Sequence, residues 1–426
     1  MKKYININVF ALLFAALNTI SCSIDDIEPI NKLTEDNVVV DVKSAQSLLT
    51  AAYIPFREFG TSNFLAGQMM SSGEQDRGAS GFYGDDGYWE NNLEDDNMTL
   101  APNYSDIYRA INNVNFLIDQ LEQGNAQDAS EEENNTMIGE AKTIRAFGHF
   151  ALLRRWGQYY DLNSIYGIVL MLEPARENQN IARNTVQECY DSIIADLQFA
   201  VANGPTGMPH YRFSSVVATA LLSKVYLYAG DFTNAASTAL LAINNGDGYV
   251  LEGKGNYAAN FTSNWGSEIL FSPFGDDNTG ESVYAHWSFG PYQITPSAYF
   301  RTIADNSDGV PGDGDMVYNT SGYDSRFIFA YDAFNAGTNG IGKYPHLSYG
   351  ASVNTIVYLR LSEIYLVYAE AEARRSGGDL NEALTRLNEI RDRANMPLKV
   401  LTDQATLLQD IREEKMLNCF VKMVKP

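Results

Sequence analysis

Two stretches of the sequence, residues 60–102 and 261–350, combine aromatic rings with planar hydrogen-bonding side chains and show no helical period. A Trp or Tyr ring offers a flat apolar face beside a polar group, and Asn, Asp and Arg offer donors and acceptors of fixed geometry. Together these groups suit a ligand with both C–H faces and hydroxyl groups, such as a sugar. Six side chains are the candidates for ligand contact: Trp89 and Trp287 as stacking rings, Tyr83 and Tyr292 beside them, and Arg77 and Asn92 as hydroxyl partners. The sequence leaves open the alternative that the rings fasten long loops to a scaffold.

Other kinds of chemical site find less support. The four histidines do not stand in HExxH spacing, and the sequence contains no CxxC pair, no Gly-x-Ser-x-Gly elbow and no phosphate-binding glycine loop. The acidic run 305–315 could offer oxygen ligands to Ca²⁺, but it lacks the EF-hand pattern, and a solvated turn is the preferred interpretation. We therefore predict no catalytic residue, no metal and no cofactor. A surface glycosidase stays an alternative, because 53 acidic residues form many pairs whose separation a sequence does not show.

The composition narrows the class of protein. The chain has 426 residues, with 30 Lys and Arg against 53 Asp and Glu, and a formal net charge of −23. Phosphate backbones repel so acidic a chain, which argues against nucleic-acid binding. With 45% hydrophobic and 19% charged residues it can bury a core, which argues against disorder. No apolar run reaches the roughly 20 residues that a membrane-spanning helix needs.

The first 21 residues are typical of a secretory signal peptide. Lys2 and Lys3 precede a short apolar segment, and the small Ser21 precedes Cys22. This arrangement resembles a bacterial lipobox, in which Cys22 would be lipidated, although Thr19 stands where the consensus prefers Leu. An ordinary signal peptide with a chance cysteine is the alternative. A lipidated Cys22 would hold the protein on a membrane, with residues 22–43 as a tether.

Helical periodicity dominates the sequence from Ser44 onward. Apolar residues recur at spacings of three and four in 140–157, 214–229 and 359–375. In the turns 230–235 and 378–383 a Gly permits a positive φ, an Asp caps the next helix, and an Ala lets two helices cross closely. These features predict tetratricopeptide-like helix hairpins.

The predicted fold is therefore mainly α. It consists of a single domain, 44–426, from which residues 60–102 and 261–350 emerge as a first and a second excursion on one face of the helical body. Because the two hairpins are far apart in sequence, we do not expect a continuous solenoid. Four side chains on or near the helical stripes are predicted to be buried or packed: Phe147, Trp156, Tyr226 and Trp265. Cys189, in an amphipathic helical pattern, is predicted to be a small buried hydrophobe.

Several segments, taken in order, resemble the SusD/RagB family of outer-membrane nutrient-binding lipoproteins. The matching segments are 108–115 (YRAINNVN), 141–157, 183–200 (RNTVQECYDSIIADLQFA), 218–242, 323–327 (YDSRF), 343–344 and 358–397. The last is the most specific, and it reads YLRLSEIYLVYAEAEARRSGGDLNEALTRLNEIRDRANMP.

The resemblance implies a SusD-like α/α fold with a tetratricopeptide-like scaffold, and no catalysis. It implies a SusC-like TonB-dependent barrel as partner, docked by the helical face while the loops capture an oligosaccharide. Some relatives resemble peptide binders, so a peptide is the alternative ligand, and a purely structural helical adaptor is a further alternative. The acidic stretch 25–28 resembles the surface-export signal of Bacteroidetes lipoproteins, which implies a lipid-anchored protein exposed on the outer membrane.

One departure from the family pattern lies near the end of the chain. The family's helix at 411–414 normally continues through an Arg- and Glu-rich stretch and a further segment, whereas here it becomes 415–419 (KMLNC) and the sequence stops at Pro426. This departure predicts a truncated chain whose last helix has lost part of its apolar cover.

Overall fold

The computed structural model describes residues 37–55, 75–77, 87, 92, 94, 100–177, 180–257, 259–262, 265–273, 294–304, 326 and 357–419. Within these residues the chain is mainly helical, which confirms the predicted fold class. The helices are α1 (Val42–Ala51), α2 (Leu100–Glu122), α3 (Glu131–Trp156), α4 (Val186–Asn203), α5 (Ser215–Tyr228), α6 (Phe232–Ile243), α7 (Ala259–Thr262), α8 (Ala298–Ala304), α9 (Leu361–Arg374), α10 (Leu380–Arg393) and α11 (Gln404–Cys419). The strands are β1 (Gln75–Arg77), β2 (Ile269–Phe271), β3 (Ile294–Pro296) and β4 (Leu359–Arg360). In this described part of the chain no helix is both long and apolar enough to cross a membrane.

The long helices form one array that is continuous in space. Each helix from α1 to α6 packs against the next one, α6 packs against α9, and α9 contacts α10 and α11. Helices α6 and α9 therefore pack together although residues 244–360 separate them in the sequence, and the absence of a continuous solenoid stays a prediction. Small buried residues on α6, Ala235, Ala236 and Ala239, allow neighbouring helices to approach closely.

The two hairpin turns are built alike but differ in one glycine. Before α6, Gly230 has φ +76°, and the side chain of Asp231 accepts from the N–H of Asn234. Before α10, Asp379 caps in the same way, but the positive φ of +71° belongs to Gly377 and not to the predicted Gly378. Gly378 is needed for another reason, because a Cβ there would collide with the carbonyl oxygen of Glu372.

One large apolar core extends along the array and contains most of the predicted core rings. Phe147, Tyr226 and Cys189 are buried, as predicted. Trp156 and Trp265 are partly buried and pack against the same core, which confirms a packing role for both. The ring of Trp265 is nearly parallel to that of His210, with centroids 6.3 Å apart.

Buried ion pairs cross-link the array. Lys224 on α5 pairs with Glu363 on α9, and both are almost fully buried. On α11, the buried carboxylate of Glu414 lies 2.6 Å from Arg326 and 3.0 Å from Arg391. A buried charge is costly without a partner of opposite sign, so each of these contacts fixes the position of the elements that carry it.

Candidate functional site

The chain segments that lead into both excursions share one buried aromatic cluster. Tyr53 lies shortly before the first excursion. Phe271 is the last residue of strand β2, near the start of the second excursion, and Tyr358 lies after that excursion, directly before β4. The ring of Phe271 lies 6.2 Å from Tyr53, 5.7 Å from Tyr358 and 4.0 Å from Phe213, on which it stacks. Phe147 on α3 completes the cluster, 6.2 Å from Phe271. Both excursions are therefore rooted at the same place on the scaffold.

A buried polar group fixes Tyr53 in this cluster. Its hydroxyl donates to Glu140 Oε1 at 2.5 Å and accepts from the backbone N–H of Phe213 at 2.9 Å. Arg212 binds both oxygens of Glu140, at 2.5 and 2.9 Å. Burial, together with the negative charge of Glu140, raises the pKa of Tyr53 well above its ordinary value, so the hydroxyl keeps its proton.

A short sheet holds the base of the second excursion. Strands β2 and β4 pair antiparallel, with Ile269 opposite Arg360 and Phe271 opposite Leu359 and an irregularity in register between them. The backbone N–H of Leu361 also donates to the carbonyl of Glu268 at 2.8 Å. The apolar residues of both strands are buried, because the sheet lies within the core and not on its surface.

A second sheet joins the two excursions to each other. Strand β1 of the first excursion pairs antiparallel with β3 of the second: Gln75 lies opposite Pro296, Asp76 opposite Thr295, and Arg77 opposite Ile294. Helix α8 begins directly after β3 and packs against α11, with Phe300 buried. The pairing joins one strand from each of the two excursions whose sequences contain the six candidate ligand residues.

Of the six predicted contact residues, the structure describes Asn92 and the backbone of Arg77. Asn92 is exposed, its N–H donates to the carbonyl of Gly87 at 2.9 Å, and its side-chain amide lies 3.5 Å from Glu94 Oε1. Arg77 is placed by its backbone in β1. Several predicted features lie outside the described residues: Trp89, Trp287, Tyr83, Tyr292, the acidic run 305–315, the signal peptide 1–21, Cys22 and the residues after Cys419. The ligand contacts of all six candidates stay a prediction.

The structure also shows exposed rings that the sequence reasoning did not single out. Tyr160 and Tyr166 are among the most exposed large side chains of the described residues, and Tyr104, whose ring contacts Trp156, is partly exposed. The segment 157–166 (GQYYDLNSIY) mixes rings with Gln, Asp and Asn between two helices, which is the same compositional signal as in the excursions. This signal is weak in the sequence because the segment is short and directly follows a helical stripe. In the described parts of the chain no group of three or more His, Cys, Asp or Glu is arranged to hold a metal ion.

Comparison with known proteins identifies the class. Residues 26–227 match the sequence model of a SusD-like family that is described as starch-binding and associating with the outer membrane. Residues 271–421 match the model of the SusD family itself. The chain belongs to the SusD/RagB family.

Individual relatives agree with this assignment. SusD-like protein P2 of Formosa agariphila is 24% identical over 96% of this chain and 86% of its own length. A SusD superfamily protein from Bacteroides thetaiotaomicron superposes with a TM-score of 0.70 at 22% identity, covering 90% of this chain and 87% of that one. A laminarin-binding SusD-like protein superposes with a TM-score of 0.67 at 17% identity, covering 90% and 89%. At these identities the structural likeness establishes the fold.

Proposed function

We propose that this protein is a non-catalytic lipoprotein of the cell surface that captures an oligosaccharide with its two excursions and delivers it to a SusC-like TonB-dependent barrel. The observation that carries the proposal is the match of residues 26–227 to a family described as starch-binding and associating with the outer membrane, together with the match of residues 271–421 to the SusD family. The laminarin-binding relative supports a glucan as the first ligand to test.

The geometry of the described residues supports a single binding region. Both excursions are rooted in the cluster around Phe271, and β1 and β3 join them at a second point. These two fixed points restrict how the described parts of the two excursions lie relative to each other. A site assembled from both excursions needs this restriction, because binding is weakened when loops must be ordered on ligand contact.

Anchoring and partner contact complete the proposal. Lipidation of Cys22 would tether the chain to the outer membrane, and the helical array would dock on the barrel. A Cys22→Ser variant tests the anchor: it should move from the membrane fraction to the soluble fraction. Co-purification of the wild type with a neighbouring TonB-dependent barrel tests the partner, and recovery of the lipoprotein alone would contradict it.

Ligand binding is tested by calorimetry with amylopectin, laminarin and a tryptic peptide mixture. The proteins are the wild type, the double variant Trp89→Ala/Trp287→Ala, and Leu241→Ala as a control on an exposed position of α6. We expect the wild type and the control to bind a polysaccharide and the double variant to lose most of its affinity, since each stacking ring contributes apolar area and ring contacts.

Each of the other possible results would favour a different interpretation. Unchanged binding by the double variant would refute the site, and binding of peptides alone would favour the peptide alternative. Reducing ends released by pure protein would identify a glycosidase. A barrel complex without any ligand binding would identify a structural adaptor.

A further inference from the structure

The sequence contains three Asn-Gly pairs, at residues 203–204, 245–246 and 339–340. The structure describes the first two pairs, and the third lies outside the described residues. In such a pair the backbone nitrogen of the glycine can attack the side-chain amide carbon of the asparagine, because glycine has no Cβ that blocks the approach. The reaction expels ammonia and is called deamidation. Whether it occurs in a folded chain depends on the groups that surround the pair.

The first pair is closed to this reaction. Asn203 is the last residue of α4, and the N–H of Gly204 donates to the carbonyl of Ala200 at 2.7 Å. The nitrogen must lose this hydrogen before it attacks, so the hydrogen bond would have to break first. Helix α3 also covers the nitrogen, because a Cβ added to Gly139 on α3 would lie only 2.9 Å from it. The fold therefore protects Asn203.

The second pair is open. Gly246 is exposed, and apart from its two neighbours in the chain a Cβ added there would meet no heavy atom within 4 Å. Among the described residues the N–H of Gly246 has no hydrogen-bond acceptor. The nitrogen can therefore pass its hydrogen to water without breaking a hydrogen bond, and no packed group shields it.

The amide of Asn245 is polarised by the loop around it. Its Oδ1 accepts from the backbone N–H groups of Asp247 at 3.1 Å and Tyr249 at 3.2 Å. Attack on the amide carbon turns Oδ1 into an oxyanion, and backbone donors aimed at a developing oxyanion lower the barrier to such a reaction. Asn203 lacks this arrangement: its Nδ2 donates to the carbonyl of Phe199 at 2.9 Å, and its Oδ1 accepts no hydrogen bond from a described residue.

We propose that Asn245 is a site of spontaneous deamidation, where the folded chain converts this asparagine into aspartate or isoaspartate. The nitrogen of Gly246 gives its hydrogen to water as a proton and forms a bond to the amide carbon of Asn245. The bond from that carbon to Nδ2 breaks, and Nδ2 leaves as ammonia with a proton taken from water. Water then adds to one of the two carbonyls of the resulting cyclic imide and opens the ring. Opening on one side gives aspartate and opening on the other gives isoaspartate, so water is the only co-reactant.

Deamidation would change the end of α6. Asn245 follows the C-cap residue of that helix, and its Nδ2 donates to the carbonyls of Ala242 and Tyr249, both at 3.1 Å. A carboxylate has no hydrogen to offer either carbonyl. Its negative charge would also stand at the C-terminus of a helix, where the macrodipole is already negative. We therefore expect the modified chain to melt at a lower temperature than the unmodified chain.

The test follows both pairs in one sample of the full chain. Purified protein is incubated in mildly alkaline buffer, once folded and once unfolded in urea, and peptide mapping by mass spectrometry measures the conversion of each asparagine with time. The ratio of the folded to the unfolded rate at each asparagine isolates the effect of the structure. The variant Gly246→Ala should hinder the attack and keep the fold, because its methyl group enters open space and the φ of Gly246 is not positive. The variant Asn245→Asp reproduces one of the products.

We expect the rate ratio at Asn245 to exceed that at Asn203 by about tenfold or more, which corresponds to a difference in barrier of about 1.4 kcal/mol. Gly246→Ala should lose the conversion at Asn245 and melt at the wild-type temperature, and Asn245→Asp should melt below it. Equal ratios at the two asparagines, or a higher ratio at Asn203, would overturn the inference. Wild-type conversion of Asn245 in Gly246→Ala would overturn the attack by that nitrogen. An Asn245→Asp variant as stable as the wild type would overturn the expected effect on α6.

Discussion

The sharpest stability prediction concerns the carboxylate of Glu414. It is fully buried on α11 between the guanidinium groups of Arg326, at 2.6 Å, and Arg391, at 3.0 Å. Arg326 belongs to the second excursion and Arg391 to α10, so this one carboxylate joins three parts of the chain. The substitution Glu414→Gln keeps the shape of the side chain and removes its charge.

The expected loss of stability follows from the two arginine side chains that remain buried after the substitution. Two guanidinium groups, both buried, would lose the negative charge that compensates them. Breaking a buried ion pair by removing one partner costs about 3–5 kcal/mol. We therefore expect the free energy of unfolding of Glu414→Gln to fall by about this amount, a large part of the total stability of a typical protein.

Urea unfolding measures this difference, followed by both tryptophan fluorescence and circular dichroism so that a coincident transition can be verified. The matched control is Glu413→Gln, one residue earlier on α11. Glu413 is partly exposed and accepts from Gln409 at 2.9 Å, so its substitution should change the free energy by less than about 0.5 kcal/mol. Equal stability of the two variants would refute the argument that Glu414 compensates buried charge.

The pH dependence of the same pair gives an independent check. Burial by itself would raise the pKa of Glu414, but the charges and hydrogen bonds of Arg326 and Arg391 outweigh burial and lower the pKa below its ordinary value. A lowered folded-state pKa gives stability that is complete above the unfolded value of about 4.3 and is lost as the pH falls through the folded value. The deficit of Glu414→Gln relative to the wild type should therefore be full at neutral pH and shrink below about pH 4.3.

Three further predictions concern single sites in the scaffold. Tyr53→Phe removes the hydroxyl that accepts from a buried backbone N–H, and should lower the free energy of unfolding in urea by about 1–3 kcal/mol. A loss no larger than that of a surface Tyr→Phe change would contradict the role of this bond. Gly378→Ala should lower the melting temperature more than Gly377→Ala, because the first meets a backbone oxygen and the second meets only an unfavourable φ. The reverse order of melting temperatures would contradict this account. Burial, with a smaller contribution from Arg145, lowers the pKa of His149 to about 3, so its NMR signals should not shift between pH 8 and pH 5. Because the unfolded chain takes up this proton near pH 6.5 and the folded chain does not, His149 should destabilise the fold as the pH falls below about 6.5.

The helices were predictable from the sequence because their signals are local. Apolar spacing and the caps Asp231 and Asp379 lie within the elements that they define, and the structure has them as expected. The position of the positive φ was missed by one residue, since it depends on where the chain passes the carbonyl of Glu372. Contact between α6 and α9 could not be predicted from local patterns either, because it joins residues far apart in the chain.

The candidate site was predictable in its composition but not in its geometry. Rings and amides in two stretches indicated where a ligand could bind. Strands β1 and β3 have three residues each, too few to show an alternating pattern, so their pairing was not visible in the sequence. The same limit applies to the shared root at Phe271, which depends on which buried rings meet in three dimensions.

Because α6 and α9 pack directly against each other, the stability of the helical scaffold depends little on the length of the segment 244–360 that joins them. Closing a flexible loop costs free energy that grows only with the logarithm of its length, about 0.6 kcal/mol for each doubling. Because the loop's ends are held by two helices that already pack together, insertions or deletions that spare β2, β4, α8 and the buried Arg326 would leave the array almost as stable as before. Changes in the part of the chain that we propose meets the ligand should therefore alter the stability of the scaffold little. New ligand specificities can evolve there while the protein still folds.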